Sequence, residues 1–263
     1  MKPTAGTSQT STATHPLRVL AVIPARYAST RFPGKPLAVI AGKPMIQRVY
    51  GQVQLCRDVD AVVVATDDER ILHAVETFGG KAVMTSASHS SGTERIAEVA
   101  QLMKAEIYVN VQGDEPLIAP QAISAAVQCL LRDDSVQVAT LCVPISQPDA
   151  LSNPNVVKVV CDSRGDALYF SRFSIPFTRG TAETDFPSAP VCSKHIGLYA
   201  FRRAVLLEFP KLPRGPLEQS EQLEQLRLLE NGIRIRVIES AYDSVSVDAP
   251  EDVARVEQLL RGR

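Results

Sequence analysis

Residues 19–36 read VLAVIPARYASTRFPGKP, and the way this stretch divides decides the fold. Val19 to Ile23 is an apolar run of strand character. Pro24 ends it and delivers the chain into a loop of small residues carrying Arg26, Arg31 and Lys35 around Gly34. Past Gly42 and Pro44, apolar Met45, Ile46, Val49, Tyr50 and Val53 recur at spacings of three and four, which predicts a helix. A strand, a basic small-residue loop and a helix make a common phosphate cradle, in which loop and helix-end N–H groups face the anion and side-chain cations neutralise it. The same three cations would also suit a solvated surface loop. The stretch is not a G-x-x-x-x-G-K-[ST] loop, because no hydroxyl follows Lys35, so any metal must be held elsewhere.

Outward from this stretch the pattern repeats. Ala61 to Ala65 is a continuous apolar run suited to a parallel strand buried on both faces. Thr66, three residues before Glu69, predicts a capping box opening a helix through Ile71, Leu72 and Val75, which Gly79 and Gly80 end. Ala82 to Met84 is a short strand. Ser91 to Glu94 repeats the capping spacing ahead of a helix showing Ile96, Val99, Ala100 and Met103, and Ile107 to Val111 is a strand running into Gln112-Gly113-Asp114-Glu115-Pro116. A helix over 119–131 follows. Such alternation implies right-handed βαβ units in a doubly wound, mostly parallel, Rossmann-like α/β sheet. Ligands bind such sheets beyond the carboxyl ends of their strands. The Arg26 to Lys35 loop, Thr66-Asp67-Asp68 and Gln112 to Pro116 all follow strand ends and should face one crevice.

The alternation weakens after Leu141. Strands are expected at 138–143, 156–161, 167–170 and 196–201, with an irregular excursion at 176–193; then a helix at 217–229, strands at 233–238 and 244–247, and a helix at 250–260. The organisation expected is a disordered tail (1–17), a nucleotide-binding part of the main domain (18–141), a smaller α+β lobe (142–201) and a return to the main domain (202–263).

The chain has 263 residues, and 28 Lys and Arg against 29 Asp and Glu leave a formal net charge of -1, so no overall field draws it to nucleic acid or an anionic membrane. The five cysteines show no paired spacing that suggests zinc or a redox couple, and their odd count without an export signal points to a reducing cytoplasm. Residues 1 to 17 lack the apolar segment of a signal peptide, and no run approaches the roughly 18 apolar residues of a membrane helix.

Two strand-end carboxylates stand out. Asp114 either shapes its Gly-containing turn or binds a metal; Asp248 either caps the last helix, with Glu251 three residues on, or does the same. Magnesium on a nucleotide uses one or two protein carboxylates plus phosphate oxygens and water, which this pair could supply. His195, beside Lys194, and Arg172, closing Tyr169-Phe170-Ser171-Arg172, read singly as a structural histidine and a surface arginine. Glu221, Glu224, Gln225 and Arg227 read as a polar helix face with a Glu224–Arg227 ion pair.

Taken in order, IPARYASTRFPGKP, GKPMI, VATDD, SGTER, VNVQGDEP, NPNVVKVV, ALYFSR, KHIGLYAF, PLEQSEQLEQLRLLENG and VDAPEDVARV resemble the 3-deoxy-manno-octulosonate cytidylyltransferases, the CMP-Kdo synthetase family of Gram-negative bacteria, from about Arg18 to the end. VATDD alone is weak; the first loop, QGDEP and LYFSR in series are specific. The resemblance implies a nucleotidyltransferase-like fold and the reaction of CTP with 3-deoxy-manno-octulosonate (Kdo) to CMP-Kdo and pyrophosphate, with Mg2+, for lipopolysaccharide synthesis. By the same resemblance, Arg26, Arg31 and Lys35 bind the triphosphate, and Pro24, Ala25, Gly92, Arg95 and Gln112 form the cytidine pocket. Asp114 and Asp248 are the metal ligands, and Arg172, His195, Glu224 and Gln225 surround the sugar acid. A homodimer is implied too. Ala249 departs from the usual Thr of the family, and KHIGLYAF varies around a retained His-x-Gly-x-Tyr core. A sialate-type CMP-sugar-acid synthetase and a non-catalytic CTP-binding module are the competing readings; a dehydrogenase is disfavoured, since no G-x-G-x-x-G follows the first strand.

Overall fold

The computed structural model describes residues 17–29, 31–177, 179, 192–243 and 245–262. The expected tail up to residue 16, and residues 180–191 of the expected excursion, lie outside them. In chain order the strands are β1 (Leu17–Ala25), β2 (Val39–Ile40), β3 (Lys43–Pro44), β4 (Ala61–Thr66), β5 (Ala82–Met84), β6 (Ala105–Asn110), β7 (Val138–Pro144), β8 (Lys158–Cys161), β9 (Ala167–Ser171), β10 (Ser193–Arg202) and β11 (Arg236–Glu239). The α-helices are α1 (Met45–Gln54), α2 (Glu69–Thr77), α3 (Gly92–Leu102), α4 (Pro120–Arg132), α5 (Pro148–Ser152), α6 (Arg203–Glu208), α7 (Pro216–Glu221), α8 (Leu226–Glu230) and α9 (Pro250–Arg261).

The main sheet runs β11-β7-β10-β6-β1-β4-β5, parallel except around β10, which is antiparallel to both neighbours. β1 lies inside it and alternates between two cores. Val19, Ala21 and Ile23 meet Ile46, Val49 and Val53 of α1 and Ile123 and Val127 of α4 on one face. Leu20 and Val22 meet Ile96 and Val99 of α3 and Leu206 of α6 on the other. Covering both faces is what a mostly parallel sheet requires. A third cluster packs Val247 and Val256 against Ile40, Met45 and Leu117, and so carries the approach to α9 to the end of the first loop. Residues 142–201 contribute the β8–β9 hairpin, hung from the start of β10, and β10 itself.

Several local expectations are corrected. Pro24 does not end β1: it pairs with Ala65, and Ala25 with Thr66. The proline is tolerated because pairing with β6 stops at Val22 and Asn110, so its missing N–H falls where that ladder has already opened. Thr66 closes β4, and Asp68 caps α2 by accepting the Arg70 N–H, a shorter reach for a carboxylate. The helix expected at 217–229 is broken into α7 and α8 by Gln222, whose φ of 53° is left-handed. The expected strand at 233–238 begins only at Arg236, and 245–247 is not strand among the described residues. Asp248 does not cap α9. Ala249 occupies the cap position, and the Asp252 carboxylate accepts the N–H groups of both Asp248 and Ala249, leaving the Asp248 carboxylate with only a 3.3 Å contact from Ser246 and the ammonium described below.

Candidate active site

The carboxyl ends of β1 and β6, the N-terminus of α3 and the approach to α9 enclose a cavity of about 300 Å³. It is lined by Pro24, Ala25, Arg26, Arg31, Lys35, Gly92, Arg95, Gln112, Asp114 and Asp248, every residue expected on the nucleotide and metal side. Gly113 lets two of these segments meet: a Cβ there would stand 2.9 Å from the Pro24 carbonyl oxygen. Gly34, at φ 70°, turns the loop so that its N–H bonds to the Tyr27 carbonyl and Lys35 points inward.

The cavity is electrostatically divided. Arg26 and Arg31 are exposed and make no side-chain hydrogen bond or ion pair among the described residues. Lys35 Nζ donates to Asp114 Oδ2 at 2.6 Å and lies 3.8 Å from Asp248 Oδ1. Two carboxylates from distant parts of the chain thus share one ammonium, and the Val247 N–H bonds to the Asp114 carbonyl, which fixes the two segments together. Arg95 is buried and held by Asp67 Oδ2 at 2.7 Å and Thr85 Oγ1 at 2.5 Å, so the Thr66-Asp67-Asp68 turn serves the cavity from behind. Gln112 Nε2 reaches Asn110 Oδ1 and the Gly197 carbonyl, both at 3.3 Å.

The residues expected around the sugar acid do not line this cavity. Of them, Glu224 reaches the first turn of α3, at the edge of the cavity. Glu224 Oε1 accepts from Thr93 Oγ1 at 2.6 Å, and its Oε2 is buried without a hydrogen-bond partner. Burial pushes the Glu224 carboxyl up. Tyr199, whose hydroxyl burial pushes well up with Glu224 adding to the effect, packs against the His195 ring at 5.5 Å. His195 lies edge-on to Phe170, and desolvation pulls it down to about 3. Thr140 Oγ1 lies 3.0 Å from His195 Nε2 and within reach of the Ile196 and Leu198 carbonyls. The hydroxyl has one proton: given to either carbonyl it leaves Nε2 the donor of the 3.0 Å contact and Nδ1 the acceptor, and given to Nε2 it reverses the two. Gln225 is buried at the start of α8. Arg172 stands apart: its guanidinium donates to the carbonyls of Glu221, Pro154 and Gln222. The expected Glu224–Arg227 pair is replaced, since Arg227 is bidentate to Glu218 at 2.6 and 2.8 Å and reaches Glu94.

Sequence reasoning passed over Ser29, His89, Ser90 and Ser91, which also line the cavity, and Asn110 and Tyr199 beneath it. His89 is fixed by Glu98, Nε2 to Oε2 at 2.5 Å. Adjacency to the Ser91 helix cap was the available signal for His89 and Ser90, and a place in the first loop the signal for Ser29. The pairing of Tyr199 with Asn110 across β10 and β6 carried none.

This combination of a doubly wound sheet, a cationic loop after its first strand and two converging carboxylates belongs to nucleotidyltransferases. The chain is a member of the cytidylyltransferase family, whose model matches residues 20–235. Within it, the chain belongs with the 3-deoxy-manno-octulosonate cytidylyltransferases. It is 53% identical over 247 residues to that of Solibacter usitatus, covering 94% of this chain and 96% of the relative. It is also 53% identical over 249 residues to that of Syntrophotalea carbinolica, covering 94% and 100%. A solved structure of CMP:2-keto-3-deoxy-manno-octonic acid synthetase complexed with CTP superimposes with a TM-score of 0.86 at 47% identity, covering 93% of this chain and 99% of that one.

Proposed function

We propose that the enzyme transfers the cytidylyl group of CTP to Kdo, giving CMP-Kdo and pyrophosphate for lipopolysaccharide synthesis. The observation that carries this reading is the single crevice in which three loop cations face two carboxylates gathered on one ammonium. The anomeric hydroxyl oxygen forms a bond to the α-phosphorus as the bond from that phosphorus to the bridging oxygen breaks in line. The hydroxyl proton passes to solvent water, and the electron pair of the broken bond leaves with pyrophosphate. Lys35, Arg26 and Arg31 receive the charge growing on the leaving group, and such preorganised contacts act without reorganising at the moment of reaction. Pro24, Ala25, Gly92, Arg95 and Gln112 hold the cytidine.

A magnesium ion fits the remaining donors. Asp114 and Asp248 supply hard oxygens, and among the described residues no group of three or more His, Cys, Asp or Glu could hold a metal alone, so substrate oxygens would complete the shell. When bound, it would neutralise the α-phosphate and lower the pKa of the incoming hydroxyl. Glu224 and Gln225 would accept from and donate to sugar hydroxyls, and neutral His195, with its proton on Nε2, would offer Nδ1 as an acceptor. Arg172 would take the sugar carboxylate by releasing its present carbonyl partners.

A homodimer built on residues 142–201 is supported by Leu168 and Phe173, 63% and 79% exposed on one hairpin and its exit. Five free cysteines suit a reducing cytoplasm. Pyrophosphate release across a panel of nucleotides and sugar acids, with and without magnesium, tests the reading. Turnover confined to CTP with Kdo is expected. Preference for sialic acid, or CTP binding without turnover on any sugar acid, would overturn it.

A further inference from the structure

We propose that Thr93 is a positioning residue for the sugar acid, its hydroxyl anchoring Glu224 so that helix α3 serves the nucleotide and the sugar from one turn. The inference rests on the function proposed above. Gly92 and Arg95 of that turn line the nucleotide cavity, while Thr93 between them is 2% exposed and aims its Oγ1 away, at Glu224 Oε1, 2.6 Å distant. Glu224 Oε2 is buried and has no hydrogen-bond partner, so one oxygen is anchored and the other left to accept from a ligand.

The surrounding contacts make this an organised joint. Arg227 Nη1 reaches Glu94 Oε1 at 3.3 Å, Arg214 approaches the same oxygen at 3.5 Å, and the Arg214 guanidinium also donates to the Ser90 hydroxyl. The segment carrying Glu224 and Gln225 is therefore docked on the start of α3 by ion pairs on either side of the Thr93 bond. The charged and titratable groups facing Glu224 are Arg227 and Glu218 from its own segment and Tyr199 from β10, with the Ser91 and Thr93 hydroxyls from α3. Burial raises the Glu224 carboxyl; the Thr93 hydrogen bond, the nearby Ser91 hydroxyl and the charge of Arg227 oppose it, and Glu218 reinforces it. Thr93 thus does two things: it orients the carboxylate and it opposes the upward push that burial exerts on it.

Thr93→Val removes the hydroxyl at nearly constant volume. A hydrogen bond to a charged group is worth roughly a tenfold effect or more. The KM for Kdo should therefore rise about tenfold while the KM for CTP stays within about twofold, and the acid limb of kcat/KM for Kdo should move upward by about one pH unit. CTP binding by calorimetry reports the fold of each variant independently of turnover. Thr93→Ser keeps the donor and should return the KM for Kdo to within about threefold of wild type. Equal losses for both substrates, an unmoved acid limb, or a serine variant as impaired as the valine one would overturn the role of Thr93. Wild-type enzyme that binds CTP yet turns over no sugar acid would instead sink the functional reading, and this inference with it.

Discussion

The ammonium of Lys35 donates to Asp114 at 2.6 Å while sitting 3.8 Å from Asp248, so one cation neutralises two carboxylates that would otherwise repel. On the proposed mechanism Asp114 and Asp248 would hold a divalent ion, and Lys35 would turn to the triphosphate. Lys35→Ala should then lower turnover by roughly a hundredfold or more, since one preorganised contact to developing charge is typically worth about 3 kcal/mol. Steady-state pyrophosphate release measures this. A rate indistinguishable from wild type would remove the first loop from the mechanism.

Asp248 offers a sharper separation of structure from chemistry. Its carboxylate caps nothing, because Asp252 accepts the N–H groups that a cap would take. Asp248→Asn should leave thermal unfolding unchanged, within about 0.5 kcal/mol as expected for a surface substitution away from caps and cores. Magnesium-dependent turnover should be lost, because an amide is a poor ligand for a hard cation. Activity surviving at wild-type magnesium concentrations would reject the metal role.

The lining of the candidate cavity was legible because its signals are local. A strand end, a Gly-containing turn and a helix start each announce themselves within a few residues, and the parallel topology gathers strand ends on one edge of the sheet. The surroundings of the residues expected around the sugar acid were not legible. Glu224 takes its place from a partner at Thr93, 131 residues away, and Arg227 from Glu218 and Glu94, contacts that no spacing encodes. The Leu, Glu and Gln of 217–229, all good helix formers, also hid the left-handed Gln222, where long-range pairing overrides a helix that local propensity favours.

That long-range pairing should be costly to break. Arg227 is 1% exposed, bidentate to the buried Glu218 and stacked 4.4 Å above the Phe209 ring. Arg227→Met keeps much of the packing but strands the Glu218 charge, and losing one partner of a buried pair typically costs about 3–5 kcal/mol. Urea unfolding should show the midpoint fall at an unchanged slope. A loss under about 1 kcal/mol would mean that the pair is solvated in solution.

His195 makes stability depend on pH in a defined direction. Its folded value of about 3 lies below the ordinary 6.5 because burial disfavours the imidazolium. Between these values the unfolded chain binds a proton that the folded chain refuses, so the contribution is complete above about pH 6.5 and is lost as pH falls toward 3. One such proton sets a slope of at most about 1.4 kcal/mol per pH unit. Comparing wild type with His195→Asn by urea unfolding from pH 7 to pH 5, above the range where most carboxylates titrate, should show the asparagine variant losing less stability over that interval. Parallel curves for the two proteins would mean that His195 is protonated in the fold. The imidazole could then no longer present Nδ1 as an acceptor to a sugar hydroxyl.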